Sequence, residues 1–156
     1  MDSLSELNTL WEKAKIKSVV TATEEQLKNF EESYKLKLPQ DLRDYFANVN
    51  GTEGESDDGF FTFCTFNQFQ SIQQVLRDWY GVPKHSDIIQ KIDHSETCYV
   101  FADYSICLFA YAIRLHHEVG SENEVYAICG GEYRIIAKSF SEFINLYLQK
   151  SDQLTF

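Results

Sequence analysis

The chain has 156 residues, 44% of them apolar and 15% aromatic, which is one ordinary domain with ample core material. At this size roughly two-thirds of the unfolded chain's surface is buried on folding, so no disulfide or metal staple is needed. The formal net charge of −10 repels nucleic-acid phosphates and anionic lipid, which excludes a general nucleic-acid binder and favours basic partners.

Residues 3–16 have the spacing of a helix, with Leu4, Leu7, Trp11 and Ala14 on one stripe. A second helix is predicted from Thr23, because Thr23 and Gln26 form a capping box; Leu27, Phe30 and Tyr34 share its face. Pro39 opens a third, where its fixed φ fits and its missing N–H is not needed. Leu42, Tyr45, Phe46 and Val49 form the buried stripe of that helix. Asn50-Gly51 closes it, both residues tolerating the left-handed conformation.

Residues 52–59 read as a loop with four acids, and Phe60 to Phe66 as a strand. Asn67 is expected to cap a fourth helix carrying Ile72, Val75, Leu76, Trp79 and Tyr80, stopped by Gly81 before Pro83. Residues 82–97 read as a loop with a short element near Ile88 to Ile92. Candidate strands follow at Cys98 to Ala102, Cys107 to Leu115, Val125 to Cys129 and Tyr133 to Ala137. Gly130-Gly131 between the last two signals a tight hairpin. A helix from Phe140 to Leu148 closes the chain, with Ser139 and Glu142 as its capping box, and the tail from Ser151 is expected to fray. The order predicts an α+β single domain over residues 1–156: a mainly antiparallel mixed sheet with N-terminal helices and a C-terminal helix packed on it.

No stretch approaches the ~20 apolar residues that span a bilayer, and Met1 to Leu10 carry acids without an apolar run. Cys64, Cys98, Cys107 and Cys129 form no C-x-x-C pair. Reduced, buried thiols in a cytoplasmic protein are the simplest account.

Three segments, in order, resemble a known family. They are the helix-Leu38-Pro39-helix-Asn50-Gly51 unit, then Phe101-Ala102-Asp103 followed by strands, then Ile136 to Ile144. Together they are similar to the SUKH superfamily, which includes yeast cell-wall-synthesis regulators and many bacterial immunity proteins. The resemblance covers about residues 20–150 and implies an α+β fold without an enzymatic site. It also implies a protein partner: a toxin, often a nuclease, for the immunity type, or a signalling or cell-wall-synthesis protein for the scaffold type. The chain departs from the pattern after Asp103. Many relatives have a glycine-rich turn there, whereas this chain has Tyr104-Ser105-Ile106-Cys107-Leu108-Phe109.

Cys107 or Cys129 with His116 or His117 could form a thiol nucleophile and base, but a reactive thiol needs a cation or helix N-terminus nearby. Both cysteines lie in apolar, strand-like runs, so packed core thiols are expected and no catalytic residue is assigned. His116 and His117 are adjacent in an extended segment, point to opposite faces, and cannot easily share an ion. His94 and Cys98, four apart, sit at a loop–strand boundary. The acids at 53–58 lack the order of a calcium loop, and Gly130-Gly131 precedes no helix and offers no phosphate nest. No metal or cofactor is therefore expected. The remaining signal is acid gathered in two loops: Glu53, Glu55, Asp57 and Asp58, then Glu118, Glu122 and Glu124. Solvated loops are the plain account of such charge runs. The functional account is a surface facing a basic partner, with Trp79 and Tyr80 as candidate aromatic anchors.

Overall fold

A computed structural model of the chain describes residues 2–76 and 88–155. Helices α1 (Ser3–Lys13), α2 (Glu24–Tyr34) and α3 (Gln40–Asn48) come first. Strands β1 (Phe61–Phe63) and β2 (Gln70–Ser71) lead into the short helices α4 (Ile72–Val75) and α5 (Ile88–Lys91). The meander β3 (Cys98–Tyr104), β4 (Phe109–Arg114), β5 (Val125–Cys129) and β6 (Glu132–Ala137) follows, closed by α6 (Phe140–Leu148). The sheet is antiparallel in the order β1-β3-β4-β5-β6, and β2 pairs with β3 on the same side as β1.

The caps at Thr23 and Ser139 form where the sequence puts them. Thr23 and Gln26 exchange both capping-box hydrogen bonds, satisfying two N–H groups that a helix start leaves orphaned. Ser139 accepts from Glu142 N at 3.1 Å, while the Glu142 carboxylate reaches Lys138 N instead of closing the box on Ser139. Asn50 and Gly51 take φ of 66° and 83°. Asn50 is buried, and its amide donates to the Val20 carbonyl while its oxygen accepts from Phe66 N. It thus ends α3 and ties it to two connecting segments.

The main core lies between the sheet and the helices α1, α2, α3 and α6. Leu7, Leu27, Leu42, Tyr45, Phe46, Phe63, Phe101, Tyr111 and Phe143 are buried there. Phe101 packs edge-on against Phe140 and Phe143, with centroids 5.3 and 4.8 Å apart. Burying a side chain of this size stabilises by about 2–3 kcal/mol. A second cluster occupies the opposite face, where Ile72, Leu76, Ile88 and Ile92 cover Cys98, Val100, Ala110, Ala112 and Ile128. Strand β4 is therefore covered on both faces, which is why it reads as a continuous apolar run without alternation.

Several boundaries differ from expectation, each for a local reason. The first helix ends at Lys13, and Lys15 has φ of 62°. Strand β1 is three residues because Phe60 has φ of 71° and a 3₁₀ turn begins at Phe66. Ser71, not Asn67, caps the fourth helix, forming a capping box with Gln74. Cys107 lies in the turn before β4. The tail is docked: Leu154 is buried, Tyr111 Oη donates to the Leu154 carbonyl at 2.7 Å, and Arg134 donates to the carbonyls of Gln153 and Thr155. The rest of the predicted fourth helix, with Trp79, Tyr80, Gly81 and Pro83, lies outside the described residues.

Candidate functional site

The meander decides which loops share an end of the sheet. Phe61 pairs with Tyr104, so the acidic loop before β1 sits beside the β3–β4 turn. The β5–β6 turn at Gly130-Gly131 is at that same end. The loop at 116–124 joins β4 to β5 at the other end. The seven residues of β3 set the two ends about 20 Å apart. The two acidic loops thus form separate surfaces.

At the first end, Glu53, Glu55 and Asp58 are exposed. Asp57 is used by the fold: its Oδ1 accepts from Gly59 N at 2.8 Å and Phe61 N at 2.9 Å, and its Oδ2 accepts from the Tyr147 hydroxyl. These bonds fix the loop as a tight turn and leave Phe60 standing outward, 61% exposed. Ser105 N donates to the Phe60 carbonyl at 2.8 Å, which brings the β3–β4 turn alongside. In that turn Ser105, Ile106 and Cys107 have φ of 52°, 53° and 66°. A non-glycine residue in this region costs about 1–2 kcal/mol, and here three stand in succession. The Asp103 carboxylate accepts from Cys107 N at 3.4 Å and supports the turn. Burial pushes the Asp103 carboxyl up from its ordinary range. The turn holds Ile106 almost wholly in water, 90% exposed, next to the partly exposed Leu108.

A groove of about 820 Å³ runs along this end, between α1, the 57–61 turn and the C-terminal tail. Phe61, Tyr104 and Tyr147 line it, together with the acids Glu6, Asp58 and Asp152 and the cations Lys13 and Lys150.

At the second end the acids are engaged locally. Glu122 Oε1 lies 3.7 Å from Lys138 Nζ, and its carbonyl accepts from His116 Nε2 at 2.8 Å. Glu124 turns Oε2 into the protein, where it has no hydrogen-bond partner among the described residues. Glu118 is exposed. His117 Nδ1 reaches the Lys35 carbonyl at 2.6 Å, and Lys37 N donates to the His116 carbonyl at 2.8 Å. The two imidazoles therefore serve different carbonyls, and the α2–α3 connection with Lys35 and Lys37 runs alongside this loop.

The thiols are held neutral. Burial pushes Cys64 and Cys98 up to about 12 and Cys107 up to about 11, and raises Cys129 as well. For Cys107 the cause is partial burial in the turn, reinforced by Asp103, and not burial within a strand. Trp79 and Tyr80 lie outside the described residues. The apolar residues that stand with the acids are Phe60, Ile106 and Leu108, which reading by helical and strand periodicity passed over. For the turn, the signal was the run Tyr104-Ser105-Ile106-Cys107-Leu108-Phe109, which contains no glycine.

No curated protein matches the chain. The SMI1/KNR4 family (SUKH-1) matches residues 21–146. That span runs from just before α2 into α6 and contains the sheet, the Asn50-Gly51 stop and the strained turn. The chain belongs to the SMI1/KNR4 family, SUKH-1.

Proposed function

We propose that the chain is an immunity-type protein without catalytic activity, which binds a cognate basic toxin, of nuclease type, and neutralises it by covering its active site. One observation carries the reading beyond the family. Exposed Phe60 and Ile106 stand together at one end of the sheet, bridged by the Ser105 N–H to Phe60 carbonyl bond, and the exposed carboxylates Glu53, Glu55 and Asp58 lie in the loop that leads to Phe60. Apolar anchors next to a loop rich in carboxylates suit a partner with a basic groove. The carboxylates would occupy phosphate positions and speed encounter, while the anchors slow dissociation. Backbone strain that holds an apolar side chain in water is a feature found at binding sites.

Co-expression with the toxin-like product of the adjacent gene tests this. Rescue of growth and a complex that survives gel filtration are expected. Phe60→Ala with Ile106→Ala should weaken the complex by tenfold or more, since truncating interface anchors typically costs upwards of about 1.4 kcal/mol. Absence of both rescue and complex sinks the proposal.

A further inference from the structure

Helix α1 precedes the span that the family matches, yet it is tied to the Phe60 end of the sheet. Its buried residues are Leu7 and Trp11. The Trp11 indole packs on Phe63 of β1 with ring centroids 5.2 Å apart, and its Nε1 donates to the Tyr147 hydroxyl at 3.1 Å. An indole nitrogen can only donate, so the phenol oxygen is the acceptor in that contact. The one phenol hydrogen is then left for Asp57 Oδ2, which accepts it. Trp11 and Tyr147 are both buried, where a polar group left unpaired is costly. In a chain of this kind each bond accepted polarises the next bond donated and strengthens it.

From Asp57 the chain of bonds reaches the surface. Asp57 Oδ1 accepts from the amides of Gly59 and Phe61, the two neighbours of Phe60. Phe60 lies between them with φ of 71°, a conformation that a bulky side chain rarely adopts. Trp11, Tyr147 and Asp57 thus stand in series between α1 and the exposed ring. Trp11 and Tyr147 both lie outside residues 21–146, the span the family matches.

We propose that Trp11 is a positioning residue for this turn: its N–H fixes the Tyr147 hydroxyl on Asp57, and Asp57 in turn holds Phe60 outward. The consequence for binding rests on the function proposed above; the hold on the turn does not. A turn that is already ordered loses less freedom when a partner arrives, so its order is read as affinity.

Hydrogen exchange of the full chain, free in solution, tests the hold. Trp11→Phe keeps a ring against Phe63 and removes the N–H. It should speed exchange at the Gly59 and Phe61 amides about fivefold, the population change that loss of an ordinary hydrogen bond produces. Leu7→Val thins the packing of α1 but leaves the three side chains bonded, and should move these amides much less. On a Tyr147→Phe background, Trp11→Phe should add no further acceleration there, because members of one hydrogen-bond network do not act additively. Unchanged exchange in Trp11→Phe overturns the proposal. An equal effect of Leu7→Val, or full additivity with Tyr147→Phe, overturns it too, since either makes Trp11 an ordinary packing residue. Titration with the toxin-like product of the adjacent gene reads the consequence: Trp11→Phe should bind it several-fold more weakly although Trp11 is buried. Equal affinity overturns the link from the turn to binding. An unaltered chain that binds no such partner sinks the proposed function, and exchange alone then decides the hold on the turn.

Discussion

The Tyr147 hydroxyl donates a hydrogen bond to Asp57 Oδ2, joining the closing helix to the acidic loop. The same hydroxyl accepts from Trp11 Nε1 at 3.1 Å, so α1, α6 and the loop meet at one oxygen. Burial, with the Asp57 carboxylate beside it, pushes the phenol well above its ordinary range and keeps it a donor. Asp57 is therefore a structural residue among three exposed acids.

Tyr147→Phe removes the donor to Asp57 and the acceptor for Trp11 together. It should destabilise by about 1–3 kcal/mol, because buried polar groups are left unpaired. The loss should also be local: hydrogen exchange at the Gly59 and Phe61 amides, which Asp57 holds, should accelerate. Unchanged exchange there would show that the loop does not depend on α6.

Ile106→Gly should raise stability by up to about 1 kcal/mol. The side chain is 90% exposed and its φ is 53°, so little burial is lost and backbone strain is relieved. If Ile106 is an anchor, the same variant binds the toxin more weakly. Stability and binding should move in opposite directions, measured by denaturant melts and by titration with the toxin.

Two glycines with the same backbone separate strain from clash. Gly51 and Gly54 have φ of 83° and 84°. A Cβ on Gly51 would stand 2.5 Å from the Cys64 carbonyl oxygen, whereas one on Gly54 meets nothing within 4 Å. Gly54→Ala should cost about 1–2 kcal/mol through conformation alone. Gly51→Ala should cost clearly more, as β1 must shift. Urea melts of the pair measure the difference.

Asp103→Asn should stabilise the protein at neutral pH. Burial raises the folded pKa of Asp103 above the ordinary value of 3.8. The folded state therefore binds the proton more tightly, and Asp103 lowers stability as pH rises from 3.8 through its folded pKa. Below 3.8 the two proteins should converge in melting temperature, and above the folded pKa the variant should melt higher. A gap that does not change with pH would place the effect elsewhere.

Alkylation of the native thiols at neutral pH should be slow. Cys107, held at about 11, exposes roughly a hundredfold less thiolate than a free cysteine. Cys64 and Cys98, at about 12, should react more slowly still. Rapid labelling of Cys107 would reopen a nucleophilic role.

Local physics made much of the fold legible. The Thr23–Gln26 box, the Asn50-Gly51 stop and the 130–131 hairpin depend on neighbours within a few residues, and each forms as read. Strand β5 and helix α6 also match residue for residue. The errors fall where distant contacts decide. The tail reads as frayed, yet Leu154 is held by Tyr111, 43 residues away. Asn67 reads as a cap, but β2 forms first because β3 supplies a partner for Gln70 and Ser71.

The candidate site shows the same division. Sequence alone placed the acid in two loops, because charge and loop propensity are properties of the chain itself. It could not tell that the loops lie at opposite ends of the sheet, since that follows from the antiparallel order of the strands. It could not assign Asp57 to Tyr147, 90 residues away, nor hold Ile106 in water, which the pairing of β3 with β4 and the contact with Phe60 impose. Composition and periodicity determined an acidic α+β domain; long-range pairing decided which carboxylates and which apolar side chains remain free to meet a partner.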